Sequence, residues 1–249
     1  MKLICIPALT NNYIWLLYND KKQCIIIDPG DHKPVLQILK KLNFTLIGIF
    51  LTHHHHDHVH GVHNLTKHYQ IPVYGPKETK NKGSNNIVIE GDTITILDIK
   101  LKTISLPGHT SGHVGFYSYP WLFCGDTIFS AGCGKIFEGT TKQMYTSLQK
   151  IKQLNKNTLL CSAHEYTLSN INFAISITPY NKQLVSYKKY IEEMRKKNKP
   201  TLPSKLKHEL KINLFLQCHD ITLKKSLGFS VQCPELKIFT ELRKRRDNY

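Results

Sequence analysis

Six consecutive side chains, His53-His54-His55-His56-Asp57-His58, can each bind a metal ion, and an apolar core could take them only by giving every one a polar partner. Imidazole together with carboxylate suits Zn²⁺ and similar first-row cations. The sharpest pattern inside the run is His53-x-His55-x-Asp57-His58, two histidines two apart followed by a carboxylate and a third histidine. His53, His55, Asp57 and His58 are therefore the candidate ligands. His54, His56, His60 and His63 are left over, either facing solvent or supporting the ligands from outside. The run is internal and broken by Asp57, which sets it apart from a purification tag.

Residues 46–51 before the run are apolar and of strand length, and Val62, Leu65 and Tyr69 after it recur at helical spacing. The cluster thus falls at a strand-to-helix junction, where rigid elements hold loop residues in place. Upstream, the strand-like runs 13–18 and 23–27 flank the turn signal Asn19-Asp20-Lys21-Lys22 and predict a hairpin, which Asp28-Pro29-Gly30 closes. Val35, Leu36, Leu39 and Leu42 make a helical stripe. Downstream, 71–74 reads as a strand and the polar stretch 77–86 as a loop. The alternating runs Ile87-x-Ile89 and Ile94-x-Ile96 flank Glu90-Gly91-Asp92-Thr93 and predict two paired antiparallel strands. Residues 99–106, 114–117, 121–124 and 158–161 add strands, and Met144, Leu148 and Ile151 mark a helix. Strands arriving in two batches, each followed by helices, predict two sheets with helices outside. From about Glu165 the strand patterns fade, and stripes such as Leu184, Tyr187, Ile191 and Met194 predict a mostly helical appendage ending in a helix that starts near Pro234.

Four ligands in one cluster do not complete two metal sites, and three later positions repeat one device, a ligand at the end of an apolar strand. They are His109 in Pro107-Gly108-His109-Thr110, Asp126 in Gly125-Asp126-Thr127, and His164 in Ser162-Ala163-His164-Glu165. Each alone reads as readily as a turn residue; the repetition is what marks them.

Composition narrows the class. At 249 residues, 41% hydrophobic and 21% charged, the chain can bury a sizeable core. No apolar run reaches the length of a membrane span, and the start, broken by Pro7, lacks a signal-peptide profile, so a cytoplasmic protein without a membrane partner is expected. The seven cysteines form no Cys-x-x-Cys pair and sit mostly in apolar surroundings, as buried thiols of a reducing compartment do. The formal charge of +16 raises the question of nucleic acid, but the lysines are scattered and do not alternate with aromatic residues. No nucleic-acid partner is expected; a general attraction for anions remains.

Taken together, Thr52-His53-x-His55-x-Asp57-His58, Gly108-His109-Thr110, Gly125-Asp126-Thr127 and the late His164 resemble the metallo-β-lactamase superfamily. Within it, residues 107–113 (PGHTSGH), 131–135 (AGCGK), 163–167 (AHEYT) and 200–204 (PTLPS) are similar, from end to end of the chain, to the glyoxalase II or hydroxyacylglutathione hydrolase family. The resemblance implies an α/β fold, an αββα sandwich over residues 1–164, with a C-terminal mostly helical substrate-binding domain over 165–249. It implies two divalent metal ions per chain, zinc foremost, with iron or manganese also accepted. His53, His55 and His109 match the ligands of one metal, Asp57, His58 and His164 those of the other, and Asp126 the bridging carboxylate. His113 is not a ligand in this mapping. Asp57 and Asp126 also take the catalytic role of orienting the attacking hydroxide.

The implied reaction is hydrolysis of S-D-lactoylglutathione to glutathione and D-lactate, the second step of methylglyoxal detoxification, by a monomer whose partner is a small glutathione thioester. A thiol pKa of about 8.5 makes the thiolate a leaving group that needs no general acid. For the glutathione peptide the resemblance points to Lys135, Tyr166, Arg243 and Arg246, the two arginines three apart on the last expected helix. Phe137 stands where the family often has tyrosine, which removes one hydroxyl contact, and Arg246 stands where lysine is frequent. Competing expectations are a one-iron persulfide dioxygenase, a β-lactam hydrolase, and a nuclease or nucleic-acid binder built on the same sheets.

Overall fold

The computed structural model describes all residues from Met1 to Tyr249, which group into two compact units, 1–105 with 112–125 and 106–111 with 126–249. In the first unit a mixed sheet runs β1 (Lys2–Ala8), β2 (Asn12–Tyr18), β3 (Gln23–Ile27), with α1 (His32–Leu42) leading into β4 (Thr45–Phe50). After α2 (His56–Val59) and α3 (Val62–His68) come β5 (Val73–Gly75) and β6 (Asn86–Ile87). The order is β1 to β6 in sequence, antiparallel as far as β3 and parallel from β3 onward. The helices needed for those parallel crossovers cover one face. Val35 and Leu39 of α1 and Val62 and Leu65 of α3 are buried with Leu16, Ile26 and Ile49 of the strands. Asp31 caps α1 by accepting from the Lys33 amide, and Asn43 ends it in the left-handed conformation.

A second layer of the same unit is an antiparallel meander, β7 (Thr93–Ile96), β8 (Ile99–Ser105), β9 (Val114–Ser118) and β10 (Trp121–Gly125). Its inner side meets the first sheet where Phe116 stands edge-on to Phe50, ring centres 5.0 Å apart.

The expected pairing of the 87–89 and 94–96 runs does not form. Ile87 instead joins β5 in parallel, and Thr93–Ile96 folds back on Ile99–Ser105. Leu97 and Asp98 both have positive φ, 53° and 61°, the two-residue turn geometry that matches strand twist, so the tight turn lies there rather than at Gly91. One further difference is local: Lys77–Lys82 is a 3₁₀ helix, not an open loop. Pro7 is tolerated within the strand Lys2–Ala8 because β1 is a sheet edge.

The second unit contains the hairpin β11 (Ile128–Phe129) and β12 (Gly132–Cys133), then α4 (Thr141–Lys152), β13 (Leu159–Ser162), α5 (Thr167–Ile177) and α6 (Lys182–Lys196). A two-residue strand β14 (Ser204–Lys205) pairs antiparallel with β13 and is followed by α7 (Leu206–Ile212), α8 (Ile221–Ser226) and α9 (Glu235–Asp247). A Thr140–Gln143 capping box starts α4. The compact units therefore differ from a division at 164/165, because residues 126–164 pack with the C-terminal helices: α4 lies on α9, and β12 on α5.

Candidate active site

The histidine run leaves β4 and enters α2 in the first unit. His53 is fully buried, and its ring centre lies 4.7 Å from that of His55 and 4.1 Å from that of His58. Asp57 Oδ2 is 3.4 Å from His58 Nε2 and accepts from Asn12 Nδ2 at 2.8 Å. Close packing makes room for this turn: a Cβ on Gly30 would lie 1.7 Å from the Asp57 carbonyl oxygen. The four candidate ligands of the run are thus brought together. His56 and His60 lie outside, exposed, with rings 4.3 Å apart. His113 is buried, and its ring stacks on that of His53 with centres 4.8 Å apart.

Within the second unit, Asp126 Oδ2 lies 3.3 Å from His109 Nε2 and 3.3 Å from His164 Nε2. One carboxylate oxygen thus meets two imidazoles from separate loops, and all three side chains are buried. The Tyr166 ring stacks on His164 at 4.7 Å, nearly parallel.

Tyr166 also lines a cavity of about 200 Å³ together with Lys135, Arg243 and Arg246, so four of the five residues expected to meet the peptide gather around one space. The fifth, Phe137, is 61% exposed; its ring lies edge-on to His109 and 5.3 Å from the Lys135 ammonium. Arg243 is a special case, for it is buried, with Nη1 donating to the Cys133 carbonyl at 2.9 Å and Nη2 to Asp247 at 2.8 Å. Arg246 is less constrained and donates to Ser169 Oγ.

Comparison with known proteins decides the family. Residues 8–164 match the metallo-beta-lactamase superfamily and residues 165–249 the hydroxyacylglutathione hydrolase C-terminus. The chain is 53% identical to a hydroxyacylglutathione hydrolase of Baumannia cicadellinicola, over 100% of its own length and 97% of that protein's, and 54% identical to one of Serratia proteamaculans, over 100% of both. The chain belongs to the hydroxyacylglutathione hydrolase family. Among solved structures, the ETHE1 protein of Myxococcus xanthus shares the fold with a TM-score of 0.69 at 21% identity, covering 99% of this chain and 98% of that one. The metallo-β-lactamase α/β fold with a C-terminal helical region is accordingly the fold of this chain.

A family of this kind implies metal, and the hydrogen bonds around the imidazoles fit one. Asp28 Oδ2 lies 3.1 Å from His58 Nδ1, so this nitrogen carries the proton and Nε2 is the basic nitrogen. The Thr52 hydroxyl donates to the same Asp28 oxygen at 2.7 Å, which leaves its oxygen to accept from His53 Nδ1 at 3.0 Å. His109 Nδ1 donates to the Lys135 carbonyl at 2.7 Å. His53, His58 and His109 are therefore each held through Nδ1, a hydrogen-bonding arrangement compatible with a metal ion at Nε2. Asp28, His53 and His58 have ligand atoms within 4.8 Å of one another. Asp28 is nevertheless an outer partner, because its oxygens already accept from the Thr52 amide, the Thr52 hydroxyl and His58.

Asp28, Thr52 and Asn12 are the functional residues that sequence reasoning passed over. Asp28 read as a turn residue of Asp28-Pro29-Gly30, yet it ends the apolar strand β3 just as the predicted ligands end theirs. That repetition was the available signal.

Proposed function

We propose that the chain hydrolyses S-D-lactoylglutathione to glutathione and D-lactate, the second step of methylglyoxal detoxification, as a cytoplasmic monomer with two zinc ions. In this reading His53, His55 and His109 would hold one ion and Asp57, His58 and His164 the other, with Asp126 as the bridging carboxylate. Iron or manganese could be accepted by the same donors. When bound, such a pair supplies a water acidified toward a pKa of about 7 and a positive field for the carbonyl oxygen of the thioester.

The chain's own residues supply binding, orientation and charge. Lys135 and Arg246 attract the two carboxylates of the glutathione peptide, and the Tyr166 ring, fixed by its stacking on His164, sets the depth at which the peptide rests. Asp57, itself held by Asn12, orients the attacking water through a carboxylate oxygen. The departing thiolate needs no acid, since a thiol pKa of about 8.5 leaves it stable near neutrality. Residues 165–249 act as the substrate-binding part. Seven cysteines with no disulfide among them fit a reducing compartment, and no helix is long and apolar enough to cross a membrane.

The observation that carries this reading is the cavity lined by Lys135, Arg243 and Arg246, three cations against the one carboxylate of Asp247 that pairs with Arg243, one stacked ring away from His164. A hydrolase of uncharged thioesters has no use for it. The test is steady-state hydrolysis of S-D-lactoylglutathione by protein of known metal content, beside a simple thioester lacking the peptide. The expected kcat/KM exceeds about 10⁴ M⁻¹s⁻¹ for the glutathione ester, with a clear preference over the simple one. Equal turnover of both would overturn the substrate assignment.

A further inference from the structure

The segment from Phe129 to Lys135 is held along its backbone by side chains from four separate places in the second unit. Asn213 Nδ2 donates to the carbonyls of Phe129 at 3.1 Å and Gly132 at 2.9 Å, and Asn170 Nδ2 to that of Ser130 at 3.1 Å. Arg243 Nη1 donates to the Cys133 carbonyl, and His109 Nδ1 to the Lys135 carbonyl. At the centre, Glu209 of α7 accepts from the Ala131 amide at 2.8 Å and from Ser130 Oγ at 2.7 Å, while Asn213 Nδ2 stands 3.3 Å from its Oε2. Glu209 and Asn213 are fully buried.

Two features make Glu209 more than core filling. Ala131 has φ 57°, a left-handed conformation that an alanine avoids unless something holds it there, and its amide is the group that Glu209 binds. A buried carboxylate also carries a desolvation cost that an apolar residue of similar size escapes. The position is occupied by a group whose distinctive property is to accept two hydrogen bonds from the turn.

The held segment also connects two of the expected ligands. At one end, the Gly134 amide donates to the Thr127 carbonyl, and a Cβ on Gly134 would lie 1.8 Å from the Asp126 carbonyl oxygen, so the strap lies directly on the Asp126 backbone. At the other end its Lys135 carbonyl fixes the His109 ring. The 3.3 Å approach of His109 Nε2 to Asp126 Oδ2 thus depends on the course of the strap between them.

We propose that Glu209, seconded by Asn213, is a positioning residue for the metal ligands Asp126 and His109, acting through the 129–135 strap; this rests on the ligand roles given above. It touches neither metal nor substrate.

The experiment measures Zn²⁺ affinity of the full-length protein by competition with a chromophoric chelator, alongside circular dichroism and the thermal midpoint of the metal-free form. Glu209→Ala is expected to bind Zn²⁺ about 10- to 100-fold more weakly while remaining folded, the usual effect of losing an outer partner. Glu209→Gln keeps an oxygen for the Ala131 amide and offers its amino group to Ser130 Oγ, and should recover most of that affinity. Ser130→Ala, which removes the hydroxyl's contacts with Glu209 and Tyr187 and no buried charge, should show a smaller loss and decides the matter if Glu209→Ala does not fold. A purely structural Glu209 would lower the thermal midpoint and leave the Zn²⁺ affinity of the folded Glu209→Ala and Ser130→Ala proteins at the parent value, which overturns the proposal. Asp126→Ala and His109→Ala run beside them as controls: parent affinity in those two would sink the ligand roles themselves, a result distinct from failure of the positioning role.

Discussion

His58 Nδ1 lies 3.1 Å from Asp28 Oδ2 with both side chains buried, and the Thr52 hydroxyl that binds the same oxygen stands 3.0 Å from His53 Nδ1. One carboxylate therefore sets the tautomer of two imidazoles. Asp28→Asn keeps the left-handed backbone (φ 51°), which asparagine tolerates, but offers only one accepting atom. The expected result is a loss of about 10- to 100-fold in Zn²⁺ affinity, read by chelator competition, with kcat/KM falling in parallel. Parent affinity in a folded Asp28→Asn protein would remove Asp28 from the site.

Asp126 meets His109 and His164 through a single oxygen, so its loss should not affect only one metal. Asp126→Ala is expected to lose metal occupancy and turnover together, measured as metal per chain after gel filtration and as kcat on the glutathione thioester. Removing metal from the parent with a chelator should abolish turnover in the same way and restore it on readdition. Retention of both occupancy and turnover by Asp126→Ala sinks the bridging role.

The two arginines of α9 separate binding from architecture. The family resemblance points both to the glutathione peptide, and on that reading Arg243→Ala gives a simple rise in KM. Buried against the Cys133 carbonyl, Arg243 also holds the strap, so Arg243→Ala is expected to lower kcat and the thermal midpoint as well. Arg246, half-buried and bound to Ser169 Oγ, should give the cleaner signature on substitution by alanine, a raised KM at unchanged kcat, the mark of lost uniform binding. A pure kcat effect at Arg246 would take it out of the substrate pocket.

What the sequence revealed and what it hid have physical reasons. His53, His55, Asp57 and His58 stand out as candidate ligands because neighbouring metal-capable side chains leave a local pattern, and His109, Asp126 and His164 because each follows an apolar strand. Asp28, Asn12 and Glu209 were hidden because their partners lie far along the chain: Glu209 reaches Ala131, 78 residues away, and Asn12 reaches Asp57, 45 residues away. No periodicity records such a meeting. The pairing of 94–96 was misread for a related reason. Glu90-Gly91-Asp92 has the composition of a turn, but the Leu97-Asp98 pair, without glycine or asparagine, adopts the two positive φ angles that close the hairpin.

Burial pushes the Glu209 carboxyl above its usual range, against the lowering effect of its hydrogen bonds from Ser130 and Ala131. A carboxyl whose pKa is raised on folding holds its proton more tightly in the folded chain. Its contribution to stability is then fully present below the unfolded value of 4.5 and is lost as pH rises through the folded value. Glutamine at this position cannot ionise and has nothing to lose over that window. The stability of Glu209→Gln relative to the parent should therefore shift in the variant's favour as pH rises from 4.5 and level off once the parent carboxyl has ionised. Urea midpoints of both metal-free proteins, taken at intervals across this range, measure the difference directly. A difference independent of pH would mean that Glu209 ionises as readily in the folded chain as in the unfolded one, and that its burial has been compensated by the strap it holds.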